Sequence, residues 1–542
     1  MTKLTGGEAI VSGLTAHGID TVFGLPGAQI YGLFDGFHKA GIKVIGARHE
    51  QACGYMAFGH ARATGKPAVF SVVPGPGVLN ASAAMLTAFG CNEPVLCLTG
   101  QVPTAFLGQG RGHLHEMPDQ LATLRGFTTS AERIDHPAQA PMKVARAFQQ
   151  MRSGRKGPAA LEMPWDVFMQ SAEVADAEVL KPIAPPPPDA DRIADAAKLI
   201  AASKRPMIFV GAGAFDAAGI ILALAEMIDA PVVAFRSGRG IVSNAHELGL
   251  TIAAAWRLWP QTDLMIGIGT RQELPGWRWN ATPAGIKSVR IDIDPTEMRR
   301  VKPDVAIVAD ATEATRDLVA AVSRAGFTKS KSRRAEIGEA TAAAQDAIQS
   351  VQPQMAYLDV LRAVLPDNAI VTDELSQVGF ASWYGFPVYQ PRTFITSGYQ
   401  GTLGAGFPTA LGAKVAHPDR AVVAITGDGG FMFAVQELAT AVQFGIGVVT
   451  LVFNNNAYGN VRRDQMENFG GRVVAADLVN PDFIKLAESF GVMALRVTSP
   501  AEFKPALEKA LADGGPVLIE IVTPTGSEAS PWGFIHPTTS WV

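Results

Sequence analysis

Cysteine is nearly missing from this chain: three residues, Cys53, Cys91 and Cys97, among 542. So few thiols cannot build a disulfide framework, and no two form a Cys-x-x-Cys pair, so a reducing, cytoplasmic setting is expected. No apolar run approaches the roughly 18 residues that a membrane span requires. The N-terminal MTKLTGGEAI has no basic segment followed by an apolar one, so no secretory leader is expected. A dominant charge is missing too. Lys and Arg number 46 against 50 Asp and Glu, a net charge of −4. Neither nucleic acid nor an anionic membrane surface gains an electrostatic handle from that balance. Charged types reach only 18% and apolar types 48%, which excludes a disordered chain. At roughly 150 residues per domain, a soluble protein of three or four units is expected.

What is present is a repeated alternation of short β-branched runs with longer alanine-rich or amphipathic stretches. Candidate strands are 21–23, 43–47, 68–73 and 95–99, then 207–210, 232–235, 264–268 and 288–293, then 369–372, 421–426, 448–453 and 517–521. Continuous apolar strands separated by helical spans predict α/β domains whose parallel sheets are covered on both faces. The proline run of Lys181–Pro188 reads as an extended spacer, and the polar stretch from Thr328 to Gln352 as a helix plus connection. Three domains follow: 1–180, 190–328 and 350–542. The first and third share a rhythm.

The segment from Ala421 to Asn460 carries the strongest chemical signal. It reads as a strand, the turn Gly427-Asp428-Gly429-Gly430, a helix to about Phe444, a second strand, and Asn454-Asn455-Asn456. One crossover between parallel strands puts both C-terminal ends at the same sheet edge, so Asp428 and Asn455 are expected side by side. A carboxylate, an amide oxygen and a backbone carbonyl are hard donors suited to Mg²⁺, whose octahedron phosphate oxygens commonly complete. The glycines let backbone N–H groups approach a phosphate. Gly-Asp-Gly alone usually marks a turn. Paired with an Asn at an allowed spacing it is expected by chance in about one chain in a thousand.

Gly427-Asp428-Gly429 followed by Asn454-Asn455 resembles the binding motif of thiamine diphosphate enzymes, and nearly the whole chain resembles the acetolactate synthase and benzoylformate decarboxylase group. The resemblance implies a pyrimidine-binding domain, a central Rossmann-like domain and a diphosphate-binding domain. It implies that Asp428 and Asn455 ligate Mg²⁺ through side chains and Ala457 through its carbonyl. Gly427, Gly429, Gly430, Tyr458 and Gly459 are then cofactor-binding positions. Ser397-GYQGTLGAGFP408 resembles the segment that bends the cofactor, with the Gly401 carbonyl accepting from its 4′-amino group and Leu403 wedged between its rings. On residues alone, Leu403 is core packing.

Arg48-His49-Glu50-Gln51 before an alanine- and glycine-rich helix resembles the segment that activates the cofactor. A Glu in that position is ordinarily a capping or solvated residue. By resemblance Glu50 hydrogen-bonds the aminopyrimidine ring, where a carboxyl can exchange a proton. Pro74-Gly75-PGVLN80 resembles the Gly-Pro-Gly loop lining the same pocket. His115 stands where acetolactate synthases place a Gln, and is either a proton carrier or an ordinary loop histidine, as is His113.

Two departures from the anabolic acetolactate synthases stand out. Asp464 replaces a Trp that shapes the acceptor pocket, which opens and polarises it. Gly269-TRQELPGW277 replaces an Arg- and Asp-rich flavin loop, and Gly211-AGAFD216 lacks the sixth-position Gly of a dinucleotide fingerprint. FAD is therefore possible but not favoured. Arg236, Arg239, Arg271 and Arg278 could meet phosphates, and solvation is the expected alternative. The implied activity is a carbon–carbon lyase or carboligase acting on a 2-oxo acid, with an aldehyde or ketone as possible acceptor. The rivals are a 2-hydroxyacyl-coenzyme A lyase or coenzyme A thioester decarboxylase, and an idle cofactor-binding paralogue. A homodimer or homotetramer with active sites between subunits is implied.

Overall fold

A computed structural model describes residues 1–279, 281–325 and 332–537. It contains three six-stranded sheets whose strand pairs are all parallel. The first runs, from edge to edge, Lys43–Gly46, Thr21–Gly24, Ala68–Val72, Val95–Gln101, Ala159–Pro164 and Ser130–Arg133. The third runs Phe394–Ile395, Ile370–Asp373, Val422–Gly427, Val449–Asn454, Val517–Val522 and Met493–Val497. Counted along the chain, both have the order 2-1-3-4-6-5, which accounts for their shared rhythm. The central sheet has the doubly wound order 3-2-1-4-5-6, starting from Pro206–Val210.

All twelve expected strands are present, within a residue or two at their ends. The others have physical reasons to be missed. Ala159–Pro164 is fully buried yet reads AALEMP, with no β-branched residue. Ser130–Arg133 and Val305–Val308 are short edge strands. Residues 175–189 between the first and central sheets form no regular structure, and Gln149 Nε2 donates to the Lys181 carbonyl there (2.8 Å). Within Thr328–Gln352, residues 328–331 lie outside the described residues, and Arg334–Ile348 is a helix.

The first and third units share one core. Tyr55, Met56 and Phe58 from the helix Glu50–Thr64 pack with Phe407, Ala410 and Leu411 from Gly406–Ala416. Glycine permits the close approach: a Cβ on Gly412 would meet the Met56 carbonyl oxygen, and one on Gly59 that of Thr409. In each sheet the strand order reverses between two adjacent strands, opening a crevice beyond their C-terminal ends where open α/β sheets bind ligands. In the third sheet those strands are Ile370–Asp373 and Val422–Gly427. The sequence signal falls there.

Candidate active site

Val422–Gly427 and Val449–Asn454 pair in register, Gly427 opposite Phe453, so Asp428 and Asn455 leave the sheet at the same edge. Both are almost wholly buried, at 2% and 6% exposure. The Ala457 N–H lies 3.2 Å from Asn455 Oδ1 and also stabilises the Asp428 carboxylate, so the two side chains converge on one amide. Asn456 turns the chain with φ of 54°, and Tyr458 N donates to the Ala476 carbonyl (2.9 Å), holding the loop. Asn480, which the sequence reading missed, donates through Nδ2 to Asp428 Oδ2 at 2.7 Å. Burial pushes the Asp428 carboxyl above its usual range, while Asn480 and the backbone amides pull it down. A buried carboxylate, an amide oxygen and the buried Ala457 backbone form a hard donor set that fits a divalent cation.

These residues border a cavity of about 220 Å³ that also touches Leu403, Gly427, Gly429, Gly430, Tyr458 and Gly459. Its glycine floor is tight. A Cβ on Gly429 would strike the Tyr458 ring, and one on Gly430 would come within 2.6 Å of the Glu374 carboxyl. The expected helix to Phe444 is broken: Asp428–Phe431 is one short turn of helix, and Glu437–Phe444 resumes after a turn. Gly429 and Gly430 lie within the first turn, and the interruption falls after them, over residues 432–436. Gly401, with φ of 60°, abuts Leu375 beside the cavity.

Glu374, also missed, follows Asp373 at the end of its strand and lines the cavity. It is buried, accepts from the Gly404 amide, and leaves Oε2 without a partner among the described residues. Burial pushes this carboxyl up to about 8 against the pull of the Gly404 and Ala405 amides, with the Asp373 carboxylate adding to the rise. An acid whose folded pKa lies above its unfolded one costs nothing below the unfolded value, then loses stability progressively as pH rises to the folded one. Wild-type thermal stability should therefore fall between about pH 5 and 8 relative to Glu374→Gln. The difference should reach roughly 5 kcal/mol at full extent, and paired melting curves across that range check it.

In the first sheet the corresponding crevice holds Glu50 and His115. Glu50 opens the helix Glu50–Thr64, with the His49 ring accepting from Gln51 N at the N-cap (3.2 Å). Its half-buried carboxylate accepts from Asn80 Nδ2 at 3.0 Å and acts electrostatically on His115. Pro74 and Gly75 are buried beside them. The Gly75 amide donates to Gln120 Oε1 (2.7 Å), and a Cβ there would meet the His115 carbonyl at 2.6 Å. Gln120 in turn donates to Glu162 (2.8 Å), which also receives Arg133 Nε (2.6 Å). His113 instead packs on the Phe106 ring at 4.7 Å.

His115 Nδ1 lies 2.6 Å from Oε1 of buried Gln29, whose Nε2 donates to the Leu114 carbonyl (2.6 Å). That arrangement makes Oε1 the acceptor, so Nδ1 carries the hydrogen and Nε2 keeps its lone pair. Burial holds the imidazole below its usual range, opposed by the Glu50 charge. Gln29 has φ of 72° and was not legible in the sequence. Asn tolerates such a φ but is one methylene too short to reach the ring. Gln29→Asn should lower kcat about tenfold, with no further loss when combined with His115→Ala. Turnover measured across the double-mutant cycle checks this.

Three family profiles match the chain: the N-terminal thiamine pyrophosphate (TPP) binding domain of thiamine pyrophosphate enzymes over residues 4–123, their central domain over 193–318, and their C-terminal TPP binding domain over 375–521. The chain belongs to the thiamine pyrophosphate enzyme family. It is similar to a probable 2-ketoarginine decarboxylase of Pseudomonas aeruginosa, 33% identical over 96% of this chain and 94% of that protein. It is 35% identical to a probable acetolactate synthase large subunit of Methanocaldococcus jannaschii over 96% and 92%, and 31% identical to the acetolactate synthase isozyme 1 large subunit of Escherichia coli over 96% and 94%. These matches make it a thiamine diphosphate-dependent enzyme of the decarboxylase and carboligase class that acts on 2-oxo acids. Among the described residues, no helix is long and apolar enough to cross a membrane.

The central crevice of this thiamine pyrophosphate enzyme corrects one expectation. Arg236, Arg239 and Arg278 are buried rather than solvated. Arg236 Nη2 lies 2.7 Å from both Glu273 oxygens, and Arg278 Nε and Nη2 also donate to Glu273. Arg239 donates to the Ser382 carbonyl (2.8 Å), and Arg271 stacks on Tyr399. Glu273, from the loop that replaces the expected flavin segment, thus stands where an anion would neutralise two guanidiniums. Two adjoining cavities there measure about 100 and 130 Å³. Purified protein should therefore carry no flavin absorbance, which a visible spectrum checks.

Proposed function

We propose that this enzyme decarboxylates a 2-oxo acid with a polar or cationic side chain, then protonates the product or joins it to an aldehyde or ketone. The observation that carries the cofactor assignment is the convergence of Asp428 and Asn455 on the Ala457 amide above a glycine floor. In this reading Asp428, Asn455 and the Ala457 carbonyl hold Mg²⁺. Gly427, Gly429, Gly430, Tyr458 and Gly459 would line the diphosphate position, while Leu403 would support the cofactor rings and the Gly401 carbonyl would offer an acceptor to the amino group. When bound, thiamine diphosphate supplies a nucleophilic carbon that adds to a carbonyl and takes up the electrons released on loss of CO₂. Glu50 would hold a carboxyl able to exchange a proton with the pyrimidine ring, with Pro74 and Gly75 shaping its surroundings. His115, held as the Nδ1–H tautomer, accepts or returns a proton through Nε2 on the substrate side.

Among the described residues, those bordering the cavity around Asp428 all lie between 353 and 528, in the third sheet's unit. That supports a homodimer, or a tetramer of two such dimers, in which the Glu50 side of one copy completes the cavity of another. Asp464 supports the substrate class. It lies on Gly459–Asn468 four residues beyond Asn460, which borders the cavity, and so shares its helix face. Its exposed carboxylate would pair with a cationic or hydrogen-bonding side chain. The relative named as a 2-ketoarginine decarboxylase fits that chemistry. The acetolactate synthase relatives support the carboligation arm, in which the acceptor is a second carbonyl compound.

A CO₂-release screen over neutral, acidic and basic 2-oxo acids and over coenzyme A thioesters, with thiamine diphosphate and Mg²⁺, tests the proposal. Release from polar or basic substrates is expected. Release only from coenzyme A thioesters would favour the acyl-coenzyme A reading, and inertness toward every substrate the idle paralogue.

A further inference from the structure

The chain from Thr523 to His536 returns across the cavity that Asp428 and Asn455 border, and its ties are specific. Thr525 Oγ1 donates to the Asn455 carbonyl (2.5 Å), Trp532 Nε1 to Asn460 Oδ1 (2.8 Å) and Gln354 Nε2 to the Ala529 carbonyl (2.7 Å). Arg463 Nη2 donates to the Glu528 carbonyl (2.8 Å), while its Nη1 reaches Gln377 (3.0 Å). One carboxylate of this segment enters the cavity wall. Glu528 Oε1 accepts from Asn455 Nδ2 at 2.8 Å, and Thr523 Oγ1 lies 3.4 Å from the same oxygen.

The chemistry of asparagine makes that contact consequential. Its amide has two ends of nearly equal size, and a half-turn about the last torsion would present NH₂ where a cation needs oxygen. A carboxylate can only accept from it. Glu528 therefore retains the NH₂ end, which turns Oδ1 to the opposite side, where it accepts from the Ala457 N–H, the same amide that stabilises the Asp428 carboxylate. We propose that Glu528 is a positioning residue that locks the Asn455 amide with its oxygen toward the divalent-cation position, making the C-terminal segment part of the metal site. This rests on the assignment of Asn455 as a Mg²⁺ ligand. Outer partners of metal ligands commonly tune affinity by 10–100-fold.

The test is a Mg²⁺ titration of the full-length enzyme with saturating thiamine diphosphate, followed by tryptophan fluorescence rather than by turnover. Glu528→Ala should weaken Mg²⁺ binding by about tenfold or more. Glu528→Gln, whose carbonyl still accepts from Asn455 and whose NH₂ can face the Thr523 hydroxyl, should restore affinity to within about twofold. Trp532→Phe removes another tie of the same segment without touching Asn455, and should leave Mg²⁺ affinity unchanged. Asn455→Ala is titrated alongside. Wild-type affinity in Glu528→Ala with weakened affinity in Asn455→Ala would overturn the positioning role and leave the metal assignment standing. Glu528→Gln binding as weakly as Glu528→Ala would overturn it too. Wild-type affinity in both Glu528→Ala and Asn455→Ala would overturn the metal assignment and the positioning role together.

Discussion

Glu50→Gln is expected to bind thiamine diphosphate and Mg²⁺ as wild type does, while turnover falls by about 10²–10⁴-fold, the range for loss of a positioned proton carrier. The substitution is conservative where conservation matters. Gln still offers an oxygen to Asn80 Nδ2, 3.0 Å from the present carboxylate, and begins the same helix. What it loses is the exchangeable proton. Binding isotherms and single-turnover rates on one preparation separate the two effects. Turnover near wild type would remove Glu50 from the chemistry, and lost binding would make its role structural.

Asp428→Ala should act in the opposite way, through binding. In the proposed cation site Asp428 is the charged donor, so without it cofactor affinity at fixed Mg²⁺ should drop at least about a hundredfold, ~2.7 kcal/mol, and CO₂ release should vanish. The fold should survive. Asp428 is buried and its carboxyl is raised by that burial, so in the metal-free protein it costs stability wherever the unfolded chain would ionise it. Metal-free Asp428→Ala should melt no lower than metal-free wild type at neutral pH. Calorimetry of both proteins without Mg²⁺ checks that, and a large loss of stability would make the carboxylate a structural element.

The sequence disclosed the parts of the site that a single crossover brings together. Asp428 and Asn455 stand 27 positions apart, and parallel pairing of their two strands is enough to bring them side by side. Glu50 is a candidate through resemblance alone, since a Glu before a helix carries little information by itself. The residues that missed detection are those supplied from afar. Gln29 reaches His115 across 86 positions, Asn480 reaches Asp428 across 52 and Glu528 reaches Asn455 across 73. No local pattern distinguishes an amide or carboxylate that will meet a partner so distant. The arginines of the central unit failed for a related reason. A lone Arg in sequence reads as solvated, and only the folded loop brings Glu273 between Arg236 and Arg278.

A calorimetric titration of thiamine diphosphate into the full-length protein, with Mg²⁺ and again with chelator, bears most directly on the paired oxygen donors. Saturable uptake of one cofactor per chain with Mg²⁺, lost with chelator and in Asp428→Ala, is the predicted result. Equal uptake with and without the metal, or none under either condition, would contradict it.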